Sequence, residues 1–128
     1  MKESSLLLIR IRGIDVRIHV TFPIILFIVA VQYGILSGFN PRAAINGIFV
    51  TLLLFVLVLA HEFGHSWAAM HYGIGVSEIV LLPLGGIAAL EKDPREPRQE
   101  FVIAAAGPVV NFALGGILAI AGLLLDYF

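Results

Sequence analysis

Phe49-Val50-Thr51-Leu52-Leu53-Leu54-Phe55-Val56-Leu57-Val58-Leu59-Ala60-His61-Glu62-Phe63-Gly64-His65 is the stretch that decides the fold. It continues an uncharged run that begins at Ala43. Such a run approaches the length of a membrane-crossing helix, which takes about 20 apolar residues. The helical pattern carries on past Ala60 to about His71, where Gly73 and Gly75 mark the stop. One helix is thus apolar for most of its length and then presents two histidines, a glutamate and Trp67 near its end.

The spacing of those polar groups carries chemistry. Histidines four residues apart on a helix differ by about 40° in direction, so His61 and His65 project from one face and can share one zinc ion. Glu62 points about 100° away from His61. From there a carboxylate reaches a metal-bound water without ligating the metal. Zinc lowers the pKa of that water toward about 7, and Glu62 can take its proton as general base and hand it to a leaving amine. His-Glu-x-x-His on a helix is the zincin signature. Ionisable groups inside a span cost at least about 2.5 kcal/mol each at the helix centre and default to a functional role. The bland alternative is an interfacial helix end whose histidines meet headgroups. His71, six residues past His65 and on another face, and His19 are read as interfacial of that kind.

Composition points the same way. Of 128 residues, 59% are hydrophobic and 13% charged, with a mean hydropathy of +0.99. A soluble domain is about half apolar and a quarter charged, so a chain this small and greasy belongs with the bilayer. A net charge of -1 leaves no strong basic patch and argues against nucleic acid as a partner. With no cysteine, any metal must be held by nitrogen and oxygen. A cleavable signal peptide is a poor reading of the start, because charges run as far as Arg17.

The expected fold is an α-helical membrane protein with three transmembrane helices, at about 20–39, 44–71 and 100–125. Short β-hairpin elements, at about 6–18 and 76–91, precede the first helix and separate the second from the third. The first extended piece alternates: Ile9 and Ile11 with Arg10 and Arg12, then Ile14, Val16 and Ile18 with Asp15, Arg17 and His19, around Gly13. In the second, Glu78–Leu82 and Ile87–Leu90 flank Pro83-Leu84-Gly85-Gly86. Glu91–Glu100, with Pro94 and Pro97, is a surface loop. Phe101–Leu125 is uncharged but holds Pro108, which with Gly107 is expected to kink the helix, and Asn111. A buried Asn111 needs partners: it braces the gap left by Pro108, or it meets the active site or a substrate backbone. Lys2, Arg10, Arg12 and Arg17 precede the first span and Lys92, Arg95 and Arg98 the third, against Arg42 alone between the first two. The amino terminus and the loop around 91–100 are therefore expected in the cytoplasm.

Four stretches carry a family resemblance. Ala60-His61-Glu62-Phe63-Gly64-His65-Ser66 at the end of an apolar helix resembles the site-two protease family of intramembrane zinc metalloproteases. Leu82-Pro83-Leu84-Gly85-Gly86-Ile87-Ala88 is similar to that family's β element after the catalytic helix. Ala106-Gly107-Pro108-Val109-Val110-Asn111 is similar to its Ala-Gly-Pro-x-x-Asn motif, and Arg17-Ile18-His19-Val20-Thr21-Phe22 to its approach to the first span. The resemblance implies a protease that cuts transmembrane or juxtamembrane segments of other membrane proteins. It implies His61 and His65 as zinc ligands and Glu62 as the catalytic base. It also implies Leu82, Gly85, Gly86 and Asn111 as substrate-binding positions, the stretch at 82–88 docking an unwound substrate as an added strand.

The pattern is incomplete. A catalytic zinc takes three protein ligands and a water, and the family's third ligand is an aspartate followed by glycine in a later helix. No Asp-Gly pair occurs here; the aspartates are Asp15, Asp93 and Asp126. Residues 1–128 are therefore expected to form a single partial domain, truncated before the third ligand. Asp126 as a substitute ligand is disfavoured, since a helix from near Glu100 carries it toward the opposite face from His61. The missing ligand also keeps open a catalytically inactive membrane protein that binds transmembrane clients. A third reading, an ion relay through His61, Glu62 and His65, predicts no tight zinc.

Overall fold

A computed structural model describes residues 4–126. Lys2 of the charge pattern, and Tyr127 and Phe128, lie outside the described residues. The elements run β1 (Ser5–Ile11), β2 (Ile14–His19), α1 (Phe22–Leu36), α2 (Pro41–His71), β3 (Val76–Leu82), β4 (Gly85–Leu90) and α3 (Pro97–Leu124). The chain divides into two compact units. One is the chain up to Leu59 with Ser77–Ala89; the other is Ala60–Val76 with the chain from Leu90 onward.

The first unit holds the sheet. β1 and β2 pair antiparallel, Ile11 opposite Ile14. Their two-residue turn has positive φ at both Arg12 (49°) and Gly13 (80°). That is the backbone of a tight hairpin whose twist matches its strands. β2 buries Ile14 and Val16 and leaves Asp15 between them and Arg17 after them partly exposed, the period-two pattern of a strand with one face in a core. One bulge interrupts the register between Leu7 and Ile9.

The expected hairpins are not separate. All four strands form one sheet in the order β1-β2-β3-β4. β2 and β3 run parallel, with Asp15 opposite Glu78 and Ile18 opposite Leu81. β3 is thus central, which suits its continuous buried run Ile79-Val80-Leu81. Pro83 and Leu84 turn it into β4, which stays at the sheet edge.

Against this sheet lies an apolar core of Phe22, Phe55 and Leu81, with Ile18, Ile25, Leu26, Val58 and Leu59 packed on it. The rings of Phe22 and Phe55 meet edge to face, centroids 4.5 Å apart, a preferred aromatic geometry. α1 is 15 residues long, shorter than the expected 20–39. It starts at Phe22 with Pro23 in its first turn, where a missing N–H does little harm. It ends in a turn with positive φ at Gly38 and Phe39.

α2 is 31 residues and α3 28 residues, and both are long and apolar enough to cross a membrane. α2 begins at Pro41 rather than 44 and closes at Gly73 (φ 76°), where the Ile74 N–H reaches back to the Ala69 carbonyl. α3 begins at Pro97, so the last residues of the expected 91–100 loop form its first turn. Proline suits that position, because its fixed φ is helical and its missing N–H would have been unpaired. The helix runs unbroken through Pro108.

Candidate metal centre

The site occupies the second unit, where the end of α2 meets α3. His61 and His65 stand one turn apart with their Nε2 atoms 2.9 Å from each other. Their rings lie edge to face, centroids 4.6 Å apart. One ligand atom each from His61, Glu62 and His65 falls within 4.8 Å of the others, and the three residues are all partly buried. Asp126 is not in this group. It follows the end of α3, about 20 Å beyond Asn111 at 1.5 Å per residue.

α3 grips both rings from behind. His65 Nδ1 lies 2.6 Å from the Ile103 carbonyl oxygen, and His61 Nδ1 lies 2.9 Å from Asn111 Nδ2. Ile103, Gly107 and Asn111 succeed each other at intervals of four, so one stripe of α3 faces the histidine pair. The ring nitrogens left over, both Nε2, converge. Metal-ligating histidines donate their second ring N–H to an acceptor, which fixes tautomer and orientation, and the Ile103 carbonyl is such an acceptor for His65.

Two glycines make the approach possible. A Cβ on Gly64 would fall 2.7 Å from the Ala106 carbonyl oxygen and 2.8 Å from Val110 Cγ2. A Cβ on Gly107 would fall 2.8 Å from His61 Nε2 and closer still to His65 Nε2. The space which that side chain would fill therefore touches both donor atoms at once. Zinc bonds imidazole nitrogen at about 2.0–2.1 Å, and two nitrogens 2.9 Å apart can share one ion with little ring movement. Two imidazoles and a carboxylate suit zinc in chemistry as well. The residues fit the group.

The structure brings together His61, Glu62, His65 and Asn111. Asn111 is exposed rather than buried, and its partner is His61. Leu82, Gly85 and Gly86 belong to the first unit, around the turn from β3 to β4, where Gly85 has φ 146°. His71 stacks edge to face on Tyr72, and His19 Nδ1 lies 2.7 Å from Thr21 Oγ1 at the start of α1. Sequence reading missed Ile103, whose contribution is a backbone oxygen, and missed why residue 107 is glycine. The four-residue spacing of 103, 107 and 111 was the available signal.

With the geometry in hand, the comparisons with known proteins are specific. The family model of peptidase family M50 matches residues 49–127. A zinc metalloprotease of Methanocaldococcus jannaschii is 38% identical over 125 residues, covering 95% of this chain and 34% of that protein. A protein of Synechocystis sp. with a provisional zinc-metalloprotease name is 41% identical over 117 residues, 86% of this chain and 30% of its own. The solved site-2 protease of M. jannaschii matches with a TM-score of 0.67 and 38% identity, over 94% of this chain and 52% of that one. The chain belongs to peptidase family M50, the family of the site-two proteases. It spans about a third of the length of these curated relatives.

Proposed function

We propose that the complete protein carrying this chain is an intramembrane zinc metalloendopeptidase. The observation that carries the reading is the convergence of His61 and His65 Nε2 beside Glu62 on a helix whose earlier turns expose Phe49, Val50 and Leu54. A soluble helix hides such residues; a helix in lipid turns them outward. α2 and α3 cross the bilayer, α1 is embedded in it, and the amino terminus and the 91–100 loop face the cytoplasm.

His61 and His65 would hold the zinc, which would supply the Lewis acidity that makes water a nucleophile near neutral pH. Glu62 accepts the proton of the attacking water and returns it to the leaving amide nitrogen. The substrate is a transmembrane or juxtamembrane segment of another membrane protein. Peptide hydrolysis needs an unwound strand, and β4 ends the strand order of the sheet, the kind of edge to which a strand adds. Leu82, Gly85 and Gly86 receive the substrate backbone there, and Asn111 stands beside the reacting centre. The third ligand that the family resemblance implies has no Asp-Gly counterpart within residues 1–128. No feature of the site favours the inactive client-binding alternative.

The test is Glu62→Gln in the complete protein, assayed in membranes against a transmembrane reporter. Zinc content should stay at the wild-type level while cleavage falls by about 100-fold or more, the scale of general-base catalysis. His65→Ala serves as the metal-free control. Wild-type cleavage by the glutamine variant would overturn the mechanism.

A further inference from the structure

The two histidines are gripped by unlike partners, and that asymmetry has a consequence. Behind His65 stands a backbone carbonyl, which can only accept. His65 Nδ1 must therefore carry the proton, and its Nε2 presents a lone pair whether or not a metal is present. Behind His61 stands a carboxamide, which can either donate or accept. As oriented here the Asn111 NH2 group faces His61 Nδ1. Nδ1 is then the acceptor and the His61 proton sits on Nε2, from where it donates to His65 Nε2 across 2.9 Å. The groups form one directional chain, from Asn111 through His61 and His65 to the Ile103 carbonyl. In that chain His61 has no lone pair on the side where the two Nε2 atoms converge.

We propose that Asn111 is a positioning residue that sets the tautomer of His61 by turning over its amide. With Oδ1 toward the ring, His61 Nδ1 holds the proton and donates it, and both Nε2 lone pairs converge. The imidazole proton changes nitrogen and the ring stays neutral, so no net charge enters or leaves. Oxygen and nitrogen occupy nearly the same positions in the two orientations, and no backbone movement is required. The inference rests on the zinc reading above and adds to it a residue that acts on the ion only through His61.

Acceptor and non-acceptor side chains at position 111 separate this role from others. In the complete protein, purified in detergent, the affinity for added Zn2+ is measured by competition with a chromogenic chelator. Co2+ replaces Zn2+ in a parallel titration whose d–d bands report the ligand set. Asn111→Leu keeps the approximate size and cannot accept; zinc should bind about 10- to 100-fold more weakly, the usual cost of losing such an orienting partner. Asn111→Asp can only accept; it should bind at least as tightly as wild type, with the wild-type cobalt spectrum. Unfolding temperatures of the metal-free variants check that each is folded. Wild-type affinity in Asn111→Leu overturns the positioning role and leaves the metal site standing. Loss in Asn111→Asp equal to that in Asn111→Leu overturns it too. A wild-type protein that takes no zinc, with His65→Ala indistinguishable from it, overturns both this role and the metal reading beneath it.

Discussion

The two parts of α2 obey opposite rules. From Ala43 to Leu59 no residue is ionisable, and large side chains such as Phe49 and Val56 point outward and stay exposed. From Ala60 onward the helix carries His61, Glu62 and His65, all partly buried, and the fully buried Ser66, whose hydroxyl donates to the Glu62 carbonyl. In water the first part would be the liability; in lipid the second part would be, unless its polar groups meet one another. Both patterns lie in one continuous helix, the combination that the proposed zinc site requires.

Leu53→Asp puts the largest strain on this contrast. On an ordinary solvated surface such a change stays within about 0.5 kcal/mol. In the middle of a span it should cost about 2.5–3.5 kcal/mol of insertion free energy, read as the inserted fraction in a glycosylation-reporter assay. Normal insertion would break the distinction between the two parts.

Gly107→Ala works on the polar part. Its methyl would press on both Nε2 atoms, and overpacking of this kind costs about 1–3 kcal/mol. Zinc affinity should drop by about 10- to 100-fold with secondary structure unchanged, as equilibrium dialysis and circular dichroism would report. The smallest effect belongs to a site remote in sequence from both parts. Gly13→Ala forces a methyl into a positive-φ turn at about 1 kcal/mol. It should lower thermal stability slightly and leave zinc affinity alone, which marks the Gly107 effect as local.

What the sequence disclosed and what it withheld divide by range. The α2 signal was legible because apolar run, stop and histidine spacing all lie within one helix. The first hairpin was legible because Gly13 sits between two alternating runs. The parallel seam of β2 with β3 was not, because alternation says which face is buried and is silent on which distant strand lies alongside. The end of α1 was placed late, at Phe39, because the apolar run continues after Ser37 and Gly38 have already turned the backbone. Pro97 was read as part of the 91–100 loop when it was a helix start. At the site, Asn111 announced that a carboxamide in an apolar run needs a partner, but not that the partner lies 50 residues back in His61. Ile103 gave no sign in its own side chain, since every residue owns a carbonyl; only its four-residue spacing from Gly107 and Asn111 pointed to it.

The parallel seam also sets an order of events at the ribosome. His19 ends β2 and Val76 opens β3, so α1 and α2, which separate them, must be made before the sheet can close. At about 5–20 residues per second, the first hairpin waits several seconds with one flank bare. During that interval its exposed edge can pair with any passing strand, and early docking at the membrane surface would shield it.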